Sequence, residues 1–287
     1  MISKSTIQLL RFPFSYFLMP VFWFTLSFIQ HINWLNALFI FLILHLLVYP
    51  SSNGYNSYMD RDQESIGGLK DPMLPTRQLY LVTVFLDVVA VFASLIISTW
   101  FALAILLYIV CSRLYSYRGV RLKQYPITGY LTVIINQGAL TFFMVYHGAS
   151  KLVTMDMPWQ GVVAAAFLIG GFYPITQVYQ HTADANDGVE TISMLVGIRG
   201  TFIFCAVMYA VALAILFFYY MINKQMGSFL VLQIFFIPVL VFFIRWFLKV
   251  WKDESQANFT YTMQMNWLAS TCTSLAFITL IILQQFG

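Results

Sequence analysis

The stretch Val211-Ala212-Leu213-Ala214-Ile215-Leu216-Phe217-Phe218-Tyr219-Tyr220 decides the fold class. It carries no charge, no helix breaker and no polar alternation, and it sits inside a longer apolar segment over residues 201–222. A bilayer core of roughly 30 Å takes about 20 apolar residues per helix, so the segment reads as a membrane-spanning helix. A transmembrane barrel needs segments of roughly ten alternating residues with polar lumen positions, which this continuous run argues against. Comparable stretches lie near 13–30, 33–50, 79–97, 99–112, 129–147, 158–176, 228–247 and 264–283. The expected architecture is an all-α polytopic bundle of about nine transmembrane helices, forming one domain over residues 1–287.

Composition agrees. Of 287 residues, 60% are hydrophobic and only 9% are Asp, Glu, Lys or Arg. A soluble domain carries about 25% charged residues. Fifteen basic and 11 acidic residues cannot cover the surface of a water-soluble protein of this length. A soluble enzyme, a disordered chain and a nucleic-acid binder are excluded as classes, and no nucleic-acid partner is expected. Cys111, Cys205 and Cys272 lie in apolar runs without metal-ligand spacing, and read as buried small hydrophobes.

Charge placement sets an expected orientation. With the N-terminus in the cytoplasm, the inner segments hold Lys4, Arg11, Arg61, Lys70, Arg77, Arg113, Arg118, Arg121, Lys123, Arg199, Arg245, Lys249 and Lys252. Only Lys151 and Lys224 fall outside. That bias follows the positive-inside rule. Nine of the 11 acidic residues share the inner face; Asp87 and Asp156 are the others. The working end is therefore expected to be cytoplasmic, with short outer connections carrying little charge.

Two polar segments interrupt the apolar pattern on that face. The first contains Asn56-Ser57-Tyr58-Met59-Asp60-Arg61-Asp62-Gln63-Glu64. Asn56, Asp60 and Glu64 are spaced i, i+4, i+8, which on a helix stacks them on one face. Such oxygen ligands suit a hard cation such as Mg²⁺ together with substrate phosphates. Asp62 would face away and pair with a loop cation. The competing reading is a solvated, charge-rich loop helix. Lys70 and Arg77 follow in the same loop, and the next inner loop carries Arg113, Arg118, Arg121 and Lys123. These cations suit a diphosphate, and serve equally well as topology signals.

The second segment follows the sixth span, with Gln177, Gln180 and Asp184 spaced i, i+3, i+7 and Asp187 and Thr191 continuing the row. Gly188 is placed to stop the helix. His181 has no Cys or second His at ligand spacing, and reads as a hydrogen-bonding histidine.

Together the segments resemble the UbiA superfamily of intramembrane prenyltransferases. The family's first motif, NDxxDxxxD, corresponds here to Asn56, Ser57, Asp60 and Glu64. Its Gly-x-x-Thr and Leu-Gly elements correspond to Gly188, Thr191 and Leu195-Val196-Gly197. Its Tyr-Ser and Arg-Leu-Lys loop corresponds to Tyr115-Ser116 and Arg121-Leu122-Lys123. Ser57 and Glu64 stand where Asp is usual, as do Gln177 and Gln180. Asp71-Pro72-Met73 replaces Arg-Pro-Leu, leaving Lys70 as the nearest cation.

The resemblance implies Mg²⁺-assisted transfer of a prenyl group from a polyprenyl diphosphate to an aromatic or lipid-like acceptor, in a multi-pass protein of a bacterial cell membrane in contact with membrane lipid. It implies catalytic roles for Asn56, Asp60, Glu64 and Asp184, with Asp60, Glu64 and Asp184 as metal ligands. Lys70, Arg118, Arg121, Lys123, Gln177, Gln180 and Asp187 would bind substrate. The substituted second motif leaves a non-catalytic or altered-substrate relative open. A transporter is the further alternative, because Asp87, His45 and Asn136-Gln137 fall within spans. Each of these can bridge helices or line an acceptor site.

Overall fold

The computed structural model describes residues 2–286. Among the described residues it is helical, without a β-strand, and nine helices are long and apolar enough to cross a membrane. These are α1 (Lys4–Leu26), α2 (Trp34–Asp60), α3 (Arg77–Ser94), α4 (Thr99–Ser116), α5 (Pro126–Ala149), α6 (Trp159–Thr176), α7 (Ile192–Ile222), α8 (Met226–Lys252) and α9 (Phe259–Gln285). Several extend beyond the apolar runs. α2 is the important case, because it continues ten residues past Tyr49-Pro50 and carries the first polar segment as its last turns.

Aliphatic and aromatic side chains fill the bundle. Leu26, Ile40, Leu44, Phe101, Ile105 and Met144 bury one centre among α1, α2, α4 and α5. Phe24, Phe142, Leu216, Leu232 and Phe277 bury a second among α1, α5, α7, α8 and α9. Large side chains such as Phe85, Phe92, Ile96, Ile222 and Ile234 are exposed on the outer faces, as a lipid-solvated bundle requires. Close helix approach needs small residues. A Cβ at Gly138 of α5 would lie 2.6 Å from Ala166 Cα of α6, so only glycine permits that contact.

Two spans contain wide π-helical turns, Ile43–Val48 in α2 and Ile134–Leu140 in α5. α1 is interrupted at Arg11, whose backbone is left-handed (φ 48°).

The polar segments depart from the expected continuous helices. α2 stops at Asp60 because Arg61 adopts the left-handed conformation (φ 57°), its N–H closing on Ser57 O at 3.1 Å. Glu64 is therefore not one turn beyond Asp60 on the same helix. The second segment is likewise broken. Pro174–Thr176 is a 3₁₀ turn, and the following helix spans only His181–Asn186. Gly188 (φ 67°) turns the chain there, and its N–H donates to Ala185 O.

Candidate active site

The C-terminal half of α2 is fastened to α4 by polar rungs. Arg113 donates to Ser51 Oγ at 3.1 Å, Ser52 Oγ lies 2.6 Å from Ser112 Oγ, and Asn56 Nδ2 donates to Ser116 Oγ at 3.0 Å. Beyond the helix ends, Arg118 donates to the carbonyls of Met59 at 2.7 Å and Asp60 at 3.3 Å. These rungs fix where Asp60 stands. Arg113 also donates through Nε to Asp87 Oδ2 of α3 at 2.9 Å and lies 3.9 Å over the Tyr55 ring. Asp87 is thus a helix-bridging carboxylate.

α1, α2, α4, α5, α6 and the two polar loops line a cavity of about 190 Å³. Asn56, Asp60, Asp184, Lys123, Gln177 and Gln180, all expected at a site, line it. The two acidic residues come from distant parts of the sequence yet face one opening. Gln180 Nε2 reaches Ser65 O at 3.5 Å, joining the two loops directly.

Glu64, Lys70, Arg118, Arg121 and Asp187 do not line the cavity. Glu64 and Lys70 are exposed, because the turn at Arg61 carries the chain away from the α2 axis. The same turn brings Asp62 into the cavity wall, against the expectation that it faces away. Arg118 and Arg121 stand behind the wall. Arg121 is buried, pairs closely with Asp187, and lies 3.8 Å from Asp60 Oδ1; Arg118 reaches Asp187 at 3.3 Å.

Arg11 went unpredicted, although a cation embedded beside Phe12 and Phe14 in an apolar helix is itself a signal. It is buried, lines the cavity, and donates to Gly67 O at 3.2 Å and to Asn53 O and Oδ1 at 3.3 Å. Tyr115 and Tyr173 also line it, their hydroxyls 2.5 Å apart. Asn136 and Gln137 reach it from the π turn of α5, whereas His45 lies outside it, stacked on Phe41 at 4.3 Å. His181 bonds Ser193 Oγ at 2.8 Å, and burial lowers its basicity. Cys205 is buried, but Cys111 and Cys272 are only partly so.

The carboxyls are crowded. Burial, then the neighbouring Asp60 charge, pushes the Asp62 carboxyl up to about 6, against the pull of Lys123 and Arg11. Burial also pushes Asp184 up to about 7; Lys123 opposes this, while Asp62, Asp60 and Asp187 add to it. Asp60 Oδ2 lies 2.5 Å from Lys123 Nζ, and its Oδ1 is buried without a hydrogen-bond donor.

Among the described residues, no three His, Cys, Asp or Glu side chains already converge as a metal cluster. The donor set is nevertheless all oxygen: two raised carboxyls, an unpartnered carboxylate oxygen, and amide carbonyls. It fits a hard divalent cation that completes its shell with substrate oxygens, as Mg²⁺ does.

The UbiA prenyltransferase family matches residues 17–269. A UbiA homologue from Archaeoglobus fulgidus bound to GPP and Mg²⁺ superposes with a TM-score of 0.72 at 16% identity, covering 97% of this chain and 99% of that one. A UbiA homologue from Aeropyrum pernix K1 without ligand superposes at 0.68 and 16% identity, covering 95% and 98%. A digeranylgeranylglyceryl phosphate synthase does so at 0.64 and 16%, covering 97% and 98%. At this identity the likeness is one of fold. No curated protein sequence matches. The family match spans most of the polypeptide and agrees with its nine apolar helices: this multi-pass integral membrane protein belongs to the UbiA prenyltransferase family.

Proposed function

We propose that this chain, acting as one catalytic domain, transfers a prenyl group from an allylic polyprenyl diphosphate to an acceptor at the membrane. The observation that carries this reading is that Asp60 and Asp184, from separate loops, line one cavity with Lys123 and Arg11. The Archaeoglobus relative holds GPP and Mg²⁺ in the same fold, which supports a diphosphate and a magnesium ion here.

Asp60, Asp62 and Asp184 would hold the metal, with Asn56 and Gln180 as supporting oxygens. Glu64, exposed outside the cavity, is left out of this set. Bound Mg²⁺ would supply positive charge to the leaving oxygens. Lys123 and Arg11 would bind the diphosphate directly, and Arg118 and Arg121 would hold Asp60 and Asp187 in place from behind.

The reaction is a displacement at an allylic carbon. The carbon–oxygen bond breaks with its electron pair leaving on the diphosphate. The acceptor's electron pair forms the new bond, and its displaced proton passes to the departing diphosphate. Phe14, Phe17, Phe172, Tyr115 and Tyr173 line the cavity. Their rings limit water capture of the allylic cation and attract its charge. We further propose that the motif loops lie on the cytoplasmic side, because Lys and Arg concentrate there.

The test incubates membranes containing the chain with labelled geranyl or farnesyl diphosphate, in Mg²⁺ or EDTA. Chain-dependent prenylated product that EDTA abolishes is expected. Binding of the diphosphate without turnover would instead favour a non-catalytic relative, which Gln177 and Gln180 in place of carboxylates make a specific alternative.

A further inference from the structure

We infer that the acceptor is a neutral molecule presenting a hydroxyl or N–H donor, not a carboxylate, and that Asn136 is the residue that binds it. This rests on the prenyl-transfer reading and names the substrate class of the same site.

Asn136 belongs to the π-helical turn Ile134–Leu140, is buried, and lines the cavity. Its Nδ2 donates to Tyr108 O at 3.2 Å. Only an NH₂ group can face a carbonyl, so the amide orientation is fixed by chemistry. That leaves Oδ1 as the free end, and it is buried with no hydrogen-bond partner. Gln177 repeats the arrangement on the facing helix end. Its Nε2 donates to Tyr173 OH at 2.7 Å, and its Oε1 is buried and unpartnered. An orphaned buried acceptor is destabilising, and a ligand that brings a hydrogen relieves it. A carboxylate brings none.

Charge argues the same way. Asp60, Asp62 and Asp184 already line the cavity. Lys123 is committed to Asp60, and Arg11 to Asn53 and Gly67. In the prenyl-transfer reading the diphosphate and its metal take up Lys123 and Arg11, so a carboxylate on the acceptor would find no remaining cation on the cavity wall.

The test measures binding of two matched probes, 4-hexylphenol and 4-hexylbenzoate, to the purified full chain near neutral pH by thermal unfolding. The phenol is expected to bind about tenfold more tightly. Asn136→Leu and, independently, Gln177→Leu should each erase that preference. Equal or tighter binding of the benzoate, no binding of either probe, or an unchanged preference in a folded Asn136→Leu protein would overturn the inference. Should a variant fail to fold, the ratio in the unmodified chain decides alone. A prenylated product bearing a carboxyl, identified by mass spectrometry, would also overturn it. Phenol preference without Mg²⁺-dependent diphosphate turnover would instead sink the prenyl-transfer reading and leave the pocket chemistry standing.

Discussion

Lys123 Nζ lies 2.5 Å from Asp60 Oδ2, and both side chains are nearly inaccessible. The pair joins the loop after α4 to the end of α2 across the mouth of the cavity. It places one cation and one potential metal ligand against each other where a diphosphate and its metal would exchange partners with them.

Removing one member of this pair should therefore have two separable effects. Lys123→Met leaves the buried Asp60 carboxylate without its hydrogen-bonding cation, with Arg121 at 3.8 Å. Breaking a buried pair this way costs about 3 kcal/mol, and diphosphate affinity should fall as well. The double variant Lys123→Met with Asp60→Asn should recover much of the stability and none of the turnover. Thermal unfolding and diphosphate turnover, measured on all three proteins, check this.

The turn at Arg61 separates two acidic residues that the sequence motif leaves ambiguous. Asp62→Asn is expected to weaken Mg²⁺-dependent turnover by about 10- to 100-fold, the range seen when metal-supporting groups are lost. Glu64→Gln should leave it within about twofold, as for an exposed residue outside the site. Turnover measured against Mg²⁺ concentration distinguishes the two. A reversal of the order would mean that the first motif folds differently in the working protein.

A pH dependence follows from Asp62 and Asp184, whose carboxyls are pushed up to about 6 and about 7 from an ordinary 3.8. Burial is the main cause for both. Folded values above the unfolded one favour the protonated form. The stability this provides is fully present below about pH 4 and is lost as pH rises through about 6 to 7. A bound divalent cation reverses the preference, because ligation requires the carboxylates. The metal-free protein should melt at progressively lower temperature from about pH 5 to 8, and stabilisation by Mg²⁺ should grow over the same window. Melting curves with Mg²⁺ or EDTA test both slopes.

Asp87 and Arg113 form a partly buried ion pair between α3 and α4, with Ser51 and Tyr55 of α2 around it. Arg113→Met should destabilise the bundle by about 3 kcal/mol by stranding Asp87. Asp87→Asn combined with Arg113→Met should cost clearly less. A double-mutant cycle on thermal or denaturant unfolding gives the coupling.

Much of this architecture is legible in the sequence, for a physical reason. Lipid solvates every outward face, so a helix such as α7 declares itself by an unbroken apolar run. Asn56, Asp60 and Asp184, expected together and found on one cavity wall, are polar groups at helix ends, where periodicity still holds. Glu64 and Asp62 read the wrong way round because helical spacing was carried past Arg61. A left-handed arginine leaves no mark in a hydrophobic pattern, since the usual signal for that conformation is glycine. Gln177 reached the cavity although it shares no helix with Asp184: a 3₁₀ turn and a short helix achieve what one continuous face was expected to do. Arg11 was hidden among the topology-setting cations. Its apolar neighbours Phe12 and Phe14, and in the structure the packing against Asn53 and Gly67, distinguish it from Lys4.

On the proposed function, the loops after α2 and α6 grip one diphosphate between them. An experimental structure of the full chain with Mg²⁺ and the slowly reacting analogue geranyl thiolodiphosphate tests it most directly. A single diphosphate bridged through metal to Asp60 and Asp184, with Lys123 against its oxygens, is expected. A diphosphate bound by one loop alone, or lodged away from the cavity between them, would contradict it.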